Sequence, residues 1–309
     1  MSKAHLLPLF LALSFPACKQ QDPEPESRPA QARPATGVVH PFELDLGLLL
    51  SSNAAQRKRG FEAFRRKWPA HRRKVAELHE SSSMPKRLAA AWLLSRLGTS
   101  EDLPALRGFL ADEAARVRVA AMPGIARLGD AKSIPILRAS ISEAKFEELL
   151  EILGTLSKLS AEISERIALE LGQHEQWAMR RAAAITLGGL KSSSSGEALT
   201  RLLSDPTWMV RMDAATGLGR RRFEPAHPEL LKLLEDPEGV LRATAVEALA
   251  RFAKPEDLSA IAKLALSDGE KNTRKAAATA LGQFPESLAL PVIEKILAKK
   301  DEHYKVQLE

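Results

Sequence analysis

An arginine recurs about every 31 residues along this chain, and this periodicity limits the possible folds more than any other feature. Each copy opens a run rich in alanine that ends in leucine or isoleucine. The recurring arginines are Arg87, Arg118, Arg180, Arg211, Arg242 and Arg274. A fixed period of this length is typical of one helical unit stacked on copies of itself. The sequence therefore predicts a repeat protein whose function lies on an extended surface rather than in a pocket.

Two helices are predicted in each unit. An alanine such as Ala183 lies three residues after the arginine and a leucine such as Leu187 lies seven after it, which places both on one side of a helix. A second apolar column keeps the same period and has prolines near its start, as at Pro104 and Pro228, where a first helical turn tolerates proline. We name these the A helix and the B helix. No alternating strand pattern competes, so the expected fold is an all-α, right-handed α-solenoid.

An aspartate lies six residues before several of the arginines, twice as Asp205-Pro206 and Asp236-Pro237. These segments resemble HEAT repeats, in the short form of the phycobilisome-lyase type, and the resemblance covers about residues 84–309. In that family the recurring acid and arginine form a ladder between neighbouring repeats, which implies a structural role. By this resemblance the ladder residues are Asp112, Arg118, Arg180, Asp205, Arg211, Asp236, Arg242, Asp268 and Arg274.

Two copies depart from the pattern. In the third copy, Glu143 and Leu149 stand at the aspartate and arginine positions, so the ladder is expected to be interrupted there. In the second copy, Pro123 and Gly124 fall inside the A helix, and a kink is expected because proline removes a backbone hydrogen bond.

The N-terminal 40 residues do not follow the repeat pattern. Residues 1–17 read as a secretory signal, and the segment ending at Cys18 resembles a bacterial lipoprotein signal, which implies lipid attachment to that cysteine. A chance cysteine is the alternative. Residues 18–40 are rich in proline and polar residues and are expected to form a disordered tether. The resemblance implies a periplasm-facing location at the bacterial envelope, with Lys19 favouring the outer membrane.

A divergent basic N-terminal cap is predicted over residues 41–83. Between residues 54 and 98 there are twelve basic and three acidic residues. The cap could contact anionic lipid or an acidic partner, or it could be a solvated end of the array. The basic residues proposed for such contact are Arg57, Lys58, Arg65, Arg66, Arg72 and Arg73.

Further surface candidates follow the repeat period. In HEAT proteins the B helices line the concave side, where partners commonly bind. By resemblance the candidate partner surface is Arg107, Arg138, Arg201, Lys232 and Lys263. Trp177 and Trp208 occupy equivalent positions in consecutive repeats. Packing near the start of the A helix is the favoured interpretation for them, and an aromatic strip for a peptide is the alternative.

The sequence contains no phosphate loop, metalloprotease motif, paired cysteines or nucleophile elbow, and its histidines are scattered. We therefore expect no catalytic residue, metal or cofactor. The predicted function is a non-catalytic protein-interaction scaffold, anchored to the envelope, that binds a protein partner and reaches the membrane through its lipid. A nucleic-acid-binding protein and a bilin lyase-like protein are the alternatives, and the export signal argues against nucleic acid.

Overall fold

The computed structural model describes residues 40–294 and residue 298. Within this part of the chain, all regular secondary structure is helical, so the predicted all-α class is confirmed. Residues 286–294 are also helical. The preceding α-helices are α1 (Pro41–Leu49), α2 (Ala54–Arg66), α3 (Trp68–Glu77), α4 (Met84–Leu97), α5 (Leu103–Leu110), α6 (Ala115–Leu128), α7 (Ile134–Ala139), α8 (Phe146–Leu159), α9 (Ala161–Leu171), α10 (Trp177–Gly188), α11 (Ser193–Leu202), α12 (Trp208–Arg221), α13 (His227–Lys232), α14 (Gly239–Phe252), α15 (Leu258–Ser267) and α16 (Lys271–Leu281).

The chain divides between Leu128 and Gly129 into two compact units. In the first unit, the A helix α4 packs on the A helix α6 and the B helix α5 packs on α6. In the second unit, the A helices α10, α12, α14 and α16 pack side by side in chain order, with the B helices α11 and α15 against them. The predicted helix–turn–helix repeats are therefore present in both units.

The alanine and leucine columns form the interior of the second unit, because both lie on the side of the A helix that faces its neighbours. The members of the columns that are fully buried there are Ala183, Ala214, Ala245, Ala277, Leu187, Leu218, Leu249 and Leu281. Small residues also set how closely the A helices approach. A Cβ added to Gly217 on α12 would lie only 2.9 Å from the Cα of Gly188 on α10. Glycine at these two positions lets the backbones touch.

The A helix of the second copy is continuous through its proline. Helix α6 runs unbroken from Ala115 to Leu128 with Pro123 inside it, so the predicted kink does not end or divide the helix. Gly124 has a packing reason, since a Cβ at this position would lie 2.6 Å from the Cα of Ser95 on α4. Gly124 therefore allows α6 to lie close to α4.

The predicted cap is continuous with the repeats of the first unit. Helices α1 to α3 fill residues 41–77, and the ring of Phe61 on α2 meets Trp92 on α4 edge to face, with centroids 5.1 Å apart. The first unit thus runs across the boundary predicted between residues 83 and 84. The predicted signal peptide, the tether up to residue 39 and lipidation at Cys18 lie outside the described residues. Among the helices of the described residues, none has the length and apolar character that crossing a membrane would need.

Candidate interaction surfaces

The recurring arginine joins two consecutive repeats through one guanidinium group. Arg180 donates two hydrogen bonds to the carboxylate of Asp205 in the next repeat, from Nε at 2.6 Å and from Nη2 at 3.0 Å. Its Nη1 donates to the carbonyls of His174 and Glu175, in the turn that precedes its own helix, at 2.9 and 2.7 Å. Asp205 also accepts from the backbone N–H of Thr207 at 2.8 Å. Each pair therefore fixes two successive turns between a B helix and an A helix.

The same contact recurs along the described chain. The other ladder pairs, with their shortest distances, are Arg87–Asp112 at 2.6 Å, Arg211–Asp236 at 3.2 Å and Arg242–Asp268 at 2.7 Å. The partner of Asp112 is thus Arg87, one repeat earlier in the chain. Arg118 and Arg274 donate to backbone carbonyls of their own turns, at 2.7 and 2.8 Å. Most of the recurring charges therefore serve the fold.

Hydrogen bonding between Arg242 and Asp268 moves the pKa values of the two groups in opposite directions. The hydrogen bond from Arg242 lowers the pKa of the Asp268 carboxyl below its ordinary value, aided by the backbone N–H of Glu270. The same bond raises the pKa of Arg242. Both members of the pair are consequently held in their charged forms.

The ladder is interrupted in the third copy, where a buried leucine stands in place of the arginine. Leu149 occupies the arginine position on α8 and is 1% exposed. Helix α8 begins after Lys145 without a side-chain cap. A different contact links α8 to the following A helices, because Arg181 lies over the ring of Phe146 at 4.9 Å and donates to Asp213 on α12 at 2.7 Å.

Two of the proposed cap cations are bound within the fold. Arg57 donates from Nη1 to the carbonyls of Ser51 and Ser52 at 3.0 and 2.5 Å, which is the own-turn contact made by the ladder arginines. Its position 30 residues before Arg87 could have revealed this role. Arg72 is held by Glu101 and Asp102 at 2.6 and 2.7 Å, and these carboxylates raise its pKa. Neither arginine is a freely available surface cation.

The remaining cap cations form a smaller surface on and near α2. Arg65 pairs with Glu62 at 2.7 Å, and Arg73 pairs with Glu77 at 3.1 Å. Lys58 and Arg66 are exposed and, together with the neighbouring Arg59, have no ion pair within the described residues. A shallow, open depression on α2 is lined by Ala55, Lys58, Arg59, Glu62 and Arg66. Fewer free charges remain here than the sequence count implies.

The predicted B-helix column is likewise partly neutralised. In the second unit, Lys232 pairs with Glu229 at 2.7 Å and Arg138 lies 3.9 Å from Glu170. Arg201 on α11 and Lys263 on α15 are exposed, while Arg107 on α5 belongs to the first unit and is partly buried. The column is therefore mixed in charge rather than uniformly cationic.

The two tryptophans are more exposed than the packing interpretation implies. Trp177 and Trp208 are the first residues of α10 and α12, and they are 43% and 38% exposed. Because α10 and α12 pack side by side, the indoles lie at equivalent places on adjacent helices. Val240, the second residue of α14, is 48% exposed. These side chains place apolar surface at the N-terminal ends of three consecutive A helices.

Over residues 40–294, the structure contains no group of three or more histidine, cysteine, aspartate or glutamate side chains placed to hold a metal ion. The surface features of the described residues are a structural ladder, two partly neutralised basic surfaces and an exposed apolar edge.

The ladder and the stacked helix pairs define the class of this protein. HEAT repeats match residues 74–153, 165–228 and 227–307, which is well over half of the sequence. The chain belongs to the HEAT-repeat family. No curated protein matches it.

Solved structures with TM-scores above 0.5 share the fold. The Escherichia coli protein YibA is 14% identical, with a TM-score of 0.52 over 82% of this chain and 98% of its own. A chain of the Kap95p–RanGDP structure is 13% identical, with a TM-score of 0.55 over 78% of this chain and 39% of its own. The CpcE–CpcF complex of phycocyanin lyase from Nostoc is 19% identical and covers 90% and 100% of the two chains, with a TM-score of 0.39. At these identities the likeness concerns the fold alone.

Proposed function

We propose that this protein is an interaction scaffold that binds a protein partner along its second unit, with Trp177 and Trp208 as the anchoring side chains. The observation that carries the proposal is their exposure at equivalent positions on adjacent A helices. Tryptophan combines a large apolar surface with an N–H donor and is enriched among the residues that dominate binding energy.

The polar residues of the repeats support this assignment by elimination. The ladder arginines and aspartates that recur in the second unit are bound to one another or to backbone carbonyls. Their charges are therefore already engaged in holding the turns. Exposed side chains that the fold does not use are the better candidates for contacts with a partner, and the two indoles are the largest of these.

Site-specific photo-crosslinking in the native cell tests the proposal. A photoreactive phenylalanine analogue is placed at Trp177, at Trp208 and, as a matched control, at Leu44, which is 58% exposed on α1 of the first unit. We expect positions 177 and 208 to give the same protein adduct and position 44 not to give it. No adduct from either tryptophan position, or the same adduct from all three, would contradict the proposal.

A binding measurement with the identified partner completes the test. Hot-spot residues each contribute at least about 2 kcal/mol, which is about thirtyfold in affinity, so Trp177→Ala with Trp208→Ala is expected to weaken binding by at least about thirtyfold. Affinity is measured at a temperature at which the variant remains folded, because each indole is also partly buried. Unchanged affinity would remove the anchoring role.

We also propose that the scaffold is a lipoprotein of the bacterial envelope. The support comes from the apolar stretch within residues 1–17 and from Cys18 directly after it. Metabolic labelling with a fatty acid, followed by fractionation of wild type and Cys18→Ser, tests this. Label and membrane association are expected in the wild type and neither in the variant. An unlabelled wild-type chain in the cytosolic fraction would contradict the assignment.

A further inference from the structure

A row of exposed cations lies at the C-terminal ends of the A helices in the second unit. Lys158 on α8, Arg220 on α12 and Arg251 on α14 occupy the same repeat position, in steps of 31 residues or twice that number. The intervening position is Gly189, and Lys191 is exposed two residues beyond it. These side chains have no carboxylate partner among the described residues. The tryptophans lie at the opposite ends of the same helices, so this is a separate surface.

The Arg220-Arg221-Arg222 run shows which of these charges the fold itself uses. Arg221 donates to the Ser195 hydroxyl and to the Ser192 carbonyl at 2.6 and 2.5 Å, and its guanidinium lies 5.1 Å from the ring of Phe223. It is thus fastened to the preceding repeat. The flanking residues Arg220 and Arg222 are exposed. One arginine of the three is structural, and the other two remain available.

Arg222 is held in a backbone conformation that does not favour arginine. Its φ of 48° and ψ of 54° lie in the left-handed region, where a Cβ is costly. Gly129 and Ala253, at the equivalent positions of other repeats, share this conformation with φ of 66° and 53°. Glycine would adopt it freely. The Arg222 side chain makes no hydrogen bond or ion pair with the described residues that would offset this conformational cost, so its guanidinium is available to a partner.

The helix dipole accounts for only part of the row. A cation in the last turn of a helix is favourable because the C-terminal end carries partial negative charge. This explains Lys158, Arg220 and Arg251 as stabilising residues. Arg222 is the cap residue directly after α12, and Lys191 follows the end of α10 by three residues, so both lie outside the last helical turn.

We propose that Lys158, Lys191, Arg220, Arg222 and Arg251 bind an extended acidic segment of a partner protein. Packed helices lie about 10 Å apart, and an extended chain advances about 3.3 Å per residue, so carboxylates three residues apart match the helix spacing. Exposed carboxylates are interspersed at the same helix ends, as at Glu256 and at Glu224, which Lys254 holds at 2.7 Å. Such a mixed edge repels a continuous polyanion and accepts separate carboxylates, which favours a peptide over nucleic acid or an anionic membrane.

Peptide binding by the purified protein with intact repeats tests this inference. The probe is a fluorescent peptide in which six glutamates are each separated by two neutral residues. A peptide with the six glutamates contiguous and one with glutamine in their place are the comparisons. Duplex DNA and vesicles containing anionic phosphatidylglycerol serve as competitors. We expect the spaced peptide to bind more tightly than the contiguous one, the glutamine peptide not to bind, and neither competitor to displace the probe.

Two double variants, each of which removes two positive charges, separate the effect of position from the effect of net charge. Arg220→Gln with Arg222→Gln is expected to weaken binding about tenfold, since each exposed ion pair contributes modestly. Arg201→Gln with Lys263→Gln removes two exposed B-helix cations of the same unit and should change affinity less than about twofold. Arg222→Gly should weaken binding while raising the unfolding midpoint, because glycine relieves the backbone conformation.

Equal losses in the two double variants would overturn the inference, since they would show that only net charge matters. If DNA or vesicles displaced the probe at a lower concentration of negative charge than the spaced peptide itself, the inference would be overturned in favour of a polyanion. If the spaced peptide did not bind, the inference would also be overturned. Trp177→Ala with Trp208→Ala should leave peptide affinity unchanged. Failure of this surface is thereby distinguishable from failure of the tryptophan surface.

Discussion

The irregular third copy and the regular copies after it bury similar cores but differ at the position that meets the next repeat. On α8 this position is Leu149, which is almost fully buried. On α12 it is Arg211, which donates to Asp236 and to two carbonyls of its own turn. A helix can thus be held in the array by apolar packing at this position. The ladder additionally fixes the geometry of the turns. The third copy lacks the ladder arginine and still forms its helix pair, α8 and α9.

The largest expected effect on stability comes from truncating Leu149, which replaces the ladder arginine on α8. Leu149→Ala should lower the free energy of unfolding by about 3 kcal/mol, because it deletes buried methyl groups and leaves a cavity. Chemical denaturation followed by circular dichroism measures this. Leu288→Ala, at a position 39% exposed, is the control and should change stability by less than about 0.5 kcal/mol. Equal small effects would show that Leu149 does not replace the ladder by packing.

Breaking the ladder in a regular copy is expected to cost about 2 kcal/mol. Asp205→Ala leaves Arg180 without its carboxylate partner and removes the acceptor for the N–H of Thr207. Hydrogen exchange should become faster in the turn at residues 203–207 before it does in α12. Glu175→Ala, an exposed carboxylate in a neighbouring turn, is the control. Unchanged exchange in the turn would contradict the geometric role of the ladder.

The close helix crossing of the regular copies provides the next test. Gly217→Ala should destabilise the protein by about 1.5 kcal/mol, since the new Cβ would lie 2.9 Å from the backbone of Gly188 and the helices must separate. The unfolding midpoint in urea measures the loss. A neutral result would mean that α10 and α12 separate without strain.

An exposed glycine of the irregular copy should respond to the same substitution with the opposite sign. Gly154 on α8 has open space where a Cβ would be added, so Gly154→Ala should stabilise the protein by about 0.5–1 kcal/mol through helix propensity. The same urea experiment compares the two variants. A destabilised Gly154→Ala protein would show that the exposed face of α8 does not accept a Cβ at this position.

The smallest expected effect is on the pH dependence of stability. The pKa of Asp268 is lowered in the folded state by the hydrogen bond from Arg242, so its contribution is present above the ordinary aspartate pKa of about 3.9. That contribution is lost as the pH falls through the lowered folded-state pKa. Asp268→Asn should therefore reduce the loss of stability between neutral and acid pH. An unchanged acid slope in urea unfolding experiments would contradict the ionic character of the pair.

The ladder residues were predicted from the resemblance to HEAT repeats, and their period in sequence equals their period in space. Arg180 and Asp205 meet since each repeat is placed on the next by the same step. Arg72 could not be assigned in this way, because its pairing with Asp102 depends on how α3 meets the turn before α5. Arg222 was missed for another reason, since arginine gives no local signal for a positive φ where glycine would. The repeat pattern and the family resemblance thus indicated the shared contacts and not those specific to one copy.

The repeats of Arg211 and Arg242 each carry an arginine that donates to the next repeat and an aspartate that accepts from the preceding one. Duplicating a stretch of about 31 residues would add a matched donor and acceptor together, and deleting one would bring two compatible ends into register. The number of repeats can therefore change during evolution without new interface chemistry, while single residues such as Arg222 diversify independently. The number of repeats and the binding specificity of their surface can therefore change independently in this architecture.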